Sequence, residues 1–125
     1  MKSSETYHYN IPKYLIYIVH ILIGIWLMFL GYKLTQKEKL LSYEKTILIA
    51  LGIVVILYQI WLWYKFPKDN YSYNAPGWLI HLVHVFVGIY LILLATKLNT
   101  PLFGAITIGI ASLPVFYMLH LWILG

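Results

Sequence analysis

The sequence contains no cysteine and no arginine, and only 10% of its 125 residues are charged. Without thiols, the chain can form no disulfide, thiolate metal site, iron–sulfur cluster or cysteine-linked lipid anchor. Hydrophobic residues make up 62% of the chain, and the mean hydropathy is +0.78. A soluble domain of this size needs far more charge to cover its surface. The composition therefore excludes an ordinary soluble domain.

The few charged residues separate four stretches that contain no Lys, Arg, Asp or Glu: residues 14–32, 46–64, 75–96 and 99–125. A hydrocarbon core about 30 Å thick is spanned by roughly 20 apolar residues of helix. Backbone polar groups in lipid must be satisfied within a helix or a closed barrel, and these stretches lack the alternation of barrel strands. The sequence therefore predicts an all-α integral membrane protein with transmembrane helices over residues 13–34, 45–65, 76–97 and 101–124.

The second half of the chain repeats the first. Asn10 and Pro12 recur as Asn74 and Pro76, at an offset of 64 residues. The same offset relates the first helix to the third: Leu15, Ile16, Val19, His20, Gly24, Ile25, Leu27, Leu30, Lys33 and Leu34 recur as Leu79, Ile80, Val83, His84, Gly88, Ile89, Leu91, Leu94, Lys97 and Leu98. Hydrophobic bias does not produce matched Asn, Pro, His, Gly and Lys in one register.

Helices two and four match at an offset of 59, because the second linker is shorter: Tyr58, Leu62 and Trp63 recur as Tyr117, Leu121 and Trp122. We interpret the chain as a duplicated two-helix hairpin, with residues 1–64 and 65–125 as the repeats. Each repeat crosses the membrane twice, so both have the same orientation. We therefore predict an up-down-up-down order with a pseudo-twofold axis along the membrane normal.

Small residues mark the helix faces that we expect to pack. His20, Gly24 and Gly31 share one face of the first helix, and His84, Gly88 and Ala95 share the equivalent face of the third. Small residues at such spacing let helices approach closely in lipid. We predict four glycines as helix-packing positions: Gly24, Gly31, Gly88 and Gly109.

Polar residues within the predicted helices form the candidate functional cluster: His20, Gln59, His81, His84 and His120. In one interpretation, neutral histidines make structural hydrogen bonds between helices. In a second, His20 and His84 are the axial ligands of a b-type haem. A proton or small-solute path, or a histidine metal site, is also consistent with the cluster. No phosphate loop, HExxH or nucleophile elbow is present, so we expect no enzyme activity and assign no catalytic residue and no metal ligand.

Aromatic residues crowd the side of the membrane that carries both termini: Tyr7, Tyr9, Tyr14, Trp61, Trp63, Tyr64, Tyr71, Tyr73, Trp78 and Trp122. This aromatic-rich face is typical of an interfacial belt, and it is a candidate contact for other membrane proteins, for capsid proteins or for a second copy of the chain. The net charge of +5 comes from lysine, which we interpret as setting topology and contacting lipid headgroups. We expect no nucleic-acid partner and no cofactor, with haem b as the alternative.

Three short motifs occur in both halves of the chain: the Asn-x-Pro-x-aromatic-Leu-Ile helix start, the His-x-x-x-Gly-Ile-aromatic-Leu core and the Tyr-x-x-x-Leu-Trp helix end. In these motifs the chain resembles small four-helix membrane proteins encoded by nucleocytoplasmic large DNA viruses. The resemblance implies a multi-pass protein of a virion inner membrane or of a host endomembrane. We therefore expect a structural or interaction role in such a membrane.

Overall fold

The computed structural model describes residues 12–65 and 77–124. They form four helices, α1 over Lys13–Thr35, α2 over Ser42–Lys65, α3 over Gly77–Thr96 and α4 over Pro101–Leu124. Each helix is long and apolar enough to cross a membrane, and these residues include no strand. The prediction of an all-α membrane protein with four transmembrane helices is confirmed.

The helix ends follow from local hydrogen bonding. At the start of α2, the Glu44 carboxylate accepts the backbone N–H of Leu41 at 2.8 Å, so α2 begins at Ser42, three residues before the predicted start. At the end of α1, the N–H of Glu38 donates to the carbonyl of Lys33 at 3.0 Å. Lys37 between them has φ of 61°. This pattern is a Schellman ending, in which the left-handed position usually holds glycine.

The helices pack in two pairs, each of which is a compact unit. One unit pairs α1 with α4, and the other pairs α2 with α3. Both pairs are antiparallel. Gly24 lies beside Val115, whereas Gly31, further along α1, lies beside Gly104. Gly52 lies beside Gly88, whereas Gln59, further along α2, lies beside His81. Each unit therefore contains one helix from each predicted repeat. The division into repeats at residues 1–64 and 65–125 stays a prediction from sequence.

Each unit has a narrow line of buried side chains along the contact between its two helices. In the α1·α4 unit these include Tyr17, Leu27, Leu30, Thr107, Ala111, Val115 and Met118; in the α2·α3 unit they include Leu48, Gln59, Leu62, His81, Leu91 and Leu94. The outward faces carry large exposed apolar side chains, such as Leu57 and Leu113. Because a water-facing surface would not be apolar over such lengths, the chain is a multi-pass protein of a lipid bilayer.

Candidate functional site: helix contacts and intramembrane polar residues

Two glycines bring the backbones of α1 and α4 into contact. A methyl group built on Gly31 would lie 2.6 Å from the carbonyl oxygen of Gly104, and one built on Gly104 would lie 2.6 Å from the carbonyl oxygen of Gly31. The two clashes are reciprocal, so each glycine leaves room for the other helix. Such an approach permits Cα–H···O contacts and dense packing in lipid.

The α2·α3 unit contains the same kind of contact. A methyl on Gly52 would lie 2.6 Å from the carbonyl oxygen of Gly88, and a methyl on Gly88 would lie 2.7 Å from that of Gly52. Gly52 and Gly104 are absent from the packing positions predicted from sequence. Gly52 faces the predicted Gly88, and Gly104 faces the predicted Gly31. Knowledge of which helices pair would have identified both.

The remaining two predicted packing glycines differ from each other. A side chain at Gly24 would collide with Val115, and Gly24 is buried. Gly109 is exposed, and a methyl there would meet nothing within 4 Å. Gly109 lies two positions from both Thr107 and Ala111, about 200° away from each around the helix. It faces away from α1 and takes no part in the α1·α4 contact, so its role as a packing position stays a prediction.

The structure joins two members of the predicted polar cluster. His81 is fully buried and Gln59 is 7% exposed, and the Nδ1 of His81 lies 2.7 Å from the Oε1 of Gln59. Because an amide oxygen only accepts, His81 donates through Nδ1–H. The indole of Trp63 stacks over the His81 ring at a centroid distance of 6.2 Å. The bond links α3 to α2.

His20 and His84 are instead bound to their own helices. The Nδ1 of His20 lies 2.7 Å from the carbonyl oxygen of Ile16, and the Nδ1 of His84 lies 2.7 Å from that of Ile80. A carbonyl only accepts, so Nδ1 carries a proton in both rings. Both side chains are half-buried. They belong to different units.

His120 lies outside the packed contact of its unit. Its side chain is exposed, whereas Met118 two positions earlier is buried. Two residues correspond to about 200° of helix rotation, so the two side chains occupy opposite faces of α4. His120 therefore lies off the α1·α4 contact, and its membership of the polar cluster stays a prediction.

Part of the aromatic-rich face forms a cluster of ring contacts in the α1·α4 unit. Tyr14, Tyr17 and Trp122 have ring centroids 6.0–6.4 Å apart, and the Lys13 ammonium lies 5.5 Å from the Tyr14 ring centroid. In α2, the Lys65 ammonium lies 5.8 Å from the Trp61 ring centroid. Lysine over aromatic rings at helix ends is typical of a membrane interface. Four members of this face lie outside the described residues: Tyr7, Tyr9, Tyr71 and Tyr73.

Glu44 is a buried carboxylate that no sequence pattern marks: its side chain is 1% exposed, and it accepts the N–H of Leu41. Among residues 12–65 and 77–124, no group of three or more His, Cys, Asp or Glu side chains is placed to hold a metal ion.

Comparisons of the chain with protein-family models, with curated proteins and with solved structures give no match.

Proposed function

We propose that the chain is a non-enzymatic structural protein of a membrane, built from a duplicated hairpin and acting through helix packing and contacts with other membrane components. The observation that carries the proposal is that the small residues in the buried faces serve backbone contact between helices. Gly31 against Gly104, and Gly52 against Gly88, leave no room for even a methyl group. This use of glycine favours a fixed scaffold.

Equivalent contacts in the two units support the duplication. Gly24 lies against Val115, and Gly88 lies against Ile56. Gly24 and Gly88 are 64 positions apart, whereas Ile56 and Val115 are 59 apart. These are the offsets found independently from matched residues in the sequence. Both pairs of contacts thus follow one register.

Ring contacts repeat in the same register. Trp63 stacks on His81 at 6.2 Å with an interplanar angle of 29°, and Trp122 lies 6.4 Å from Tyr17 at 34°. Trp63 and Trp122 are 59 positions apart, and Tyr17 and His81 are 64 apart. A shared ancestor for the two hairpins explains why the geometry is repeated while one residue type differs.

The environment of His20 and His84 is also repeated, and it supports a structural role. Each ring donates to the carbonyl four residues earlier in its own helix. Such a bond satisfies a ring N–H that lipid cannot satisfy. Under this proposal the histidines hold their rings against the helix and bind no exogenous group.

The same geometry favours haem b as a second candidate. A histidine that donates Nδ1–H to a carbonyl has its tautomer and ring orientation fixed, and it presents Nε2 as the ligand atom. Within its own unit, each of His20 and His84 would be a residue able to supply one axial ligand to such a group. Haem would supply one-electron chemistry to the membrane.

We further propose a viral setting, either the inner membrane of a virion or a host endomembrane altered by infection. Its support is the resemblance of the three sequence motifs. Immunoelectron microscopy of the native source tests it directly: label on a virion inner membrane or on virus-associated endomembrane is expected. Label on cellular membranes in the absence of any virus would contradict the proposal.

The structural role is tested by purifying the protein from haem-replete membranes and reconstituting it into liposomes. We expect no Soret absorbance, and proton and solute flux equal to that of empty liposomes. A Soret band that disappears in both His20→Leu and His84→Leu would overturn the structural role in favour of haem. Flux above the empty-liposome control would overturn it in favour of conduction.

A further inference from the structure

The hydrogen bond between His81 and Gln59 occurs in only one of two equivalent helix contacts. The position equivalent to His81 in α1 is Tyr17, at an offset of 64, and the position equivalent to Gln59 in α4 is Met118, at an offset of 59. Tyr17 is 5% exposed and Met118 is 7% exposed. All four side chains are therefore buried at matching places, but one contact carries a polar pair and the other an aromatic ring with a thioether.

The similarity of the helix faces creates a choice of partner. Because α1 resembles α3 and α2 resembles α4, the chain could also pair α1 with α2 and α3 with α4, within each hairpin. The short connections at residues 36–41 and 97–100 would suit that pairing, since short loops join antiparallel neighbours. The contact of Gly24 with Val115 does not discriminate between the two pairings, because Gly88 meets Ile56 in the same way. The contact of Gly31 with Gly104 also favours the observed pairing, because the equivalent positions hold Ala95 and Lys45.

The hydrogen bond between His81 and Gln59 does discriminate between the observed pairing and the within-hairpin pairing. In the alternative pairing His81 would face Met118, whose sulfur is a weak acceptor, and the Nδ1–H of His81 would lose the amide oxygen that it now meets at 2.7 Å. A donor deprived of its acceptor in an apolar contact is costly. A single buried polar residue in a coiled coil sets register and partner by the same penalty.

We propose that His81 and Gln59 are a partner-selection pair that directs α3 to α2, and thereby leaves α4 for α1. This inference rests on the duplicated register under the proposed function. Close packing at these positions does not require polar side chains, because Tyr17 and Met118 fill the equivalent contact between α1 and α4. Partner selection gives His81 and Gln59 a role beyond packing.

Cysteine cross-linking can read the pairing, because the native chain contains no cysteine. A Cβ built on Gly24 lies 3.7 Å from the Cβ of Val115, close to the separation of about 3.8 Å in disulfides. The reporter chain carries Gly24→Cys, Ile56→Cys and Val115→Cys. A bond from position 24 to 115 reports the α1·α4 pair, and one from 24 to 56 reports the within-hairpin pair. A chain with only Gly24→Cys and Gly109→Cys gives the background, because Gly109 faces away from α1.

The ratio of the two disulfides is measured by peptide mass spectrometry after oxidation in native membranes. In the otherwise native reporter we expect the 24–115 bond to dominate. Adding Gln59→Met with Met118→Gln moves the acceptor to α4. The ratio should then shift toward 24–56 by on the order of tenfold, the size expected for an interhelical hydrogen bond in a membrane. Adding Tyr17→His with His81→Tyr as well moves the whole pair to α1·α4 and should restore the 24–115 bond.

An unchanged ratio after the acceptor exchange would overturn partner selection while leaving the duplicated register intact. Loss of the 24–115 bond without gain of 24–56 would overturn both the register and the selection that rests on it. If the chain with Gln59→Met and Met118→Gln does not fold, the test uses the chain that also carries Tyr17→His and His81→Tyr. Recovery of the 24–115 bond supports the proposal, and its failure to recover overturns it. Absorbance and flux measurements test the structural role separately.

Discussion

Replacing Gly104 by alanine should separate helix packing from helix propensity, because α4 contains a matched control in Gly109. A methyl at Gly104 would lie 2.6 Å from the carbonyl oxygen of Gly31, 2.7 Å from the Cβ of Leu34 and 3.0 Å from the backbone nitrogen of Thr35. These neighbours are backbone atoms or lie next to the backbone, so no side-chain rotation relieves the clash. The helices must move apart instead.

The magnitude follows from two opposing terms. Overpacking a well-packed contact costs about 1–3 kcal/mol, whereas glycine to alanine inside a helix gains about 0.5–1 kcal/mol. Gly104→Ala should therefore destabilise the protein, or at best leave its stability nearly unchanged. Gly109→Ala should show only the gain in helix propensity, because its methyl meets nothing within 4 Å. The propensity term cancels between the two variants, which leaves an expected difference of about 1–3 kcal/mol.

The free energy of unfolding can be measured by titrating SDS into mixed micelles while following helical circular dichroism. Both variants are compared with the native chain in the same detergent and at the same protein concentration. We expect Gly109→Ala to require more SDS than Gly104→Ala at the midpoint. Equal midpoints for the two variants would refute the backbone contact between α1 and α4.

Three further predictions concern helix ends and histidines. Lys37→Gly should stabilise the chain by about 0.5–1 kcal/mol, because Lys37 has φ of 61° and glycine adopts that conformation without strain; a destabilised variant in the same SDS titration would contradict this. Glu44→Ala should cost about 0.3–1.5 kcal/mol, because it removes the carboxylate that accepts the N–H of Leu41 at the start of α2, and hydrogen exchange should rise first at the start of α2; unchanged exchange there would refute the cap. His20→Leu and His84→Leu should destabilise the chain by similar amounts, on the order of 0.5–1.5 kcal/mol, because each removes an equivalent bond to a carbonyl of its own helix; a large effect from only one of them would contradict their equivalence.

The glycines show which helix contacts can be predicted from residue spacing and which cannot. Gly24 and Gly31 share a helix face by their spacing alone, and the structure places both against α4. The same reasoning selected Gly109 in α4, where the packed glycine is Gly104. Hydrophobic periodicity usually marks the packed face of a helix, but apolar residues cover every side of these helices, so the sequence gives no direction for α4.

The polar residues show the same limit more sharply. Their presence in apolar segments marks His81 and Gln59 as candidates, since lipid offers them no partner. It does not reveal which pairs meet, because that depends on which helices are neighbours. His120 has the same residue type and a similar depth along its helix, yet it is exposed while His81 is fully buried.

Charge segregation and span length in the sequence determined the four helices, because lipid admits only long apolar segments whose backbone is internally bonded. Matched residues at offsets of 64 and 59 determined which helices resemble each other. Only the tertiary structure decided that α1 packs on α4 and α2 on α3. Two similar faces compete for two similar partners. The outcome depends on close backbone contacts at glycines and on one buried hydrogen bond, and neither is visible in the order of the residues.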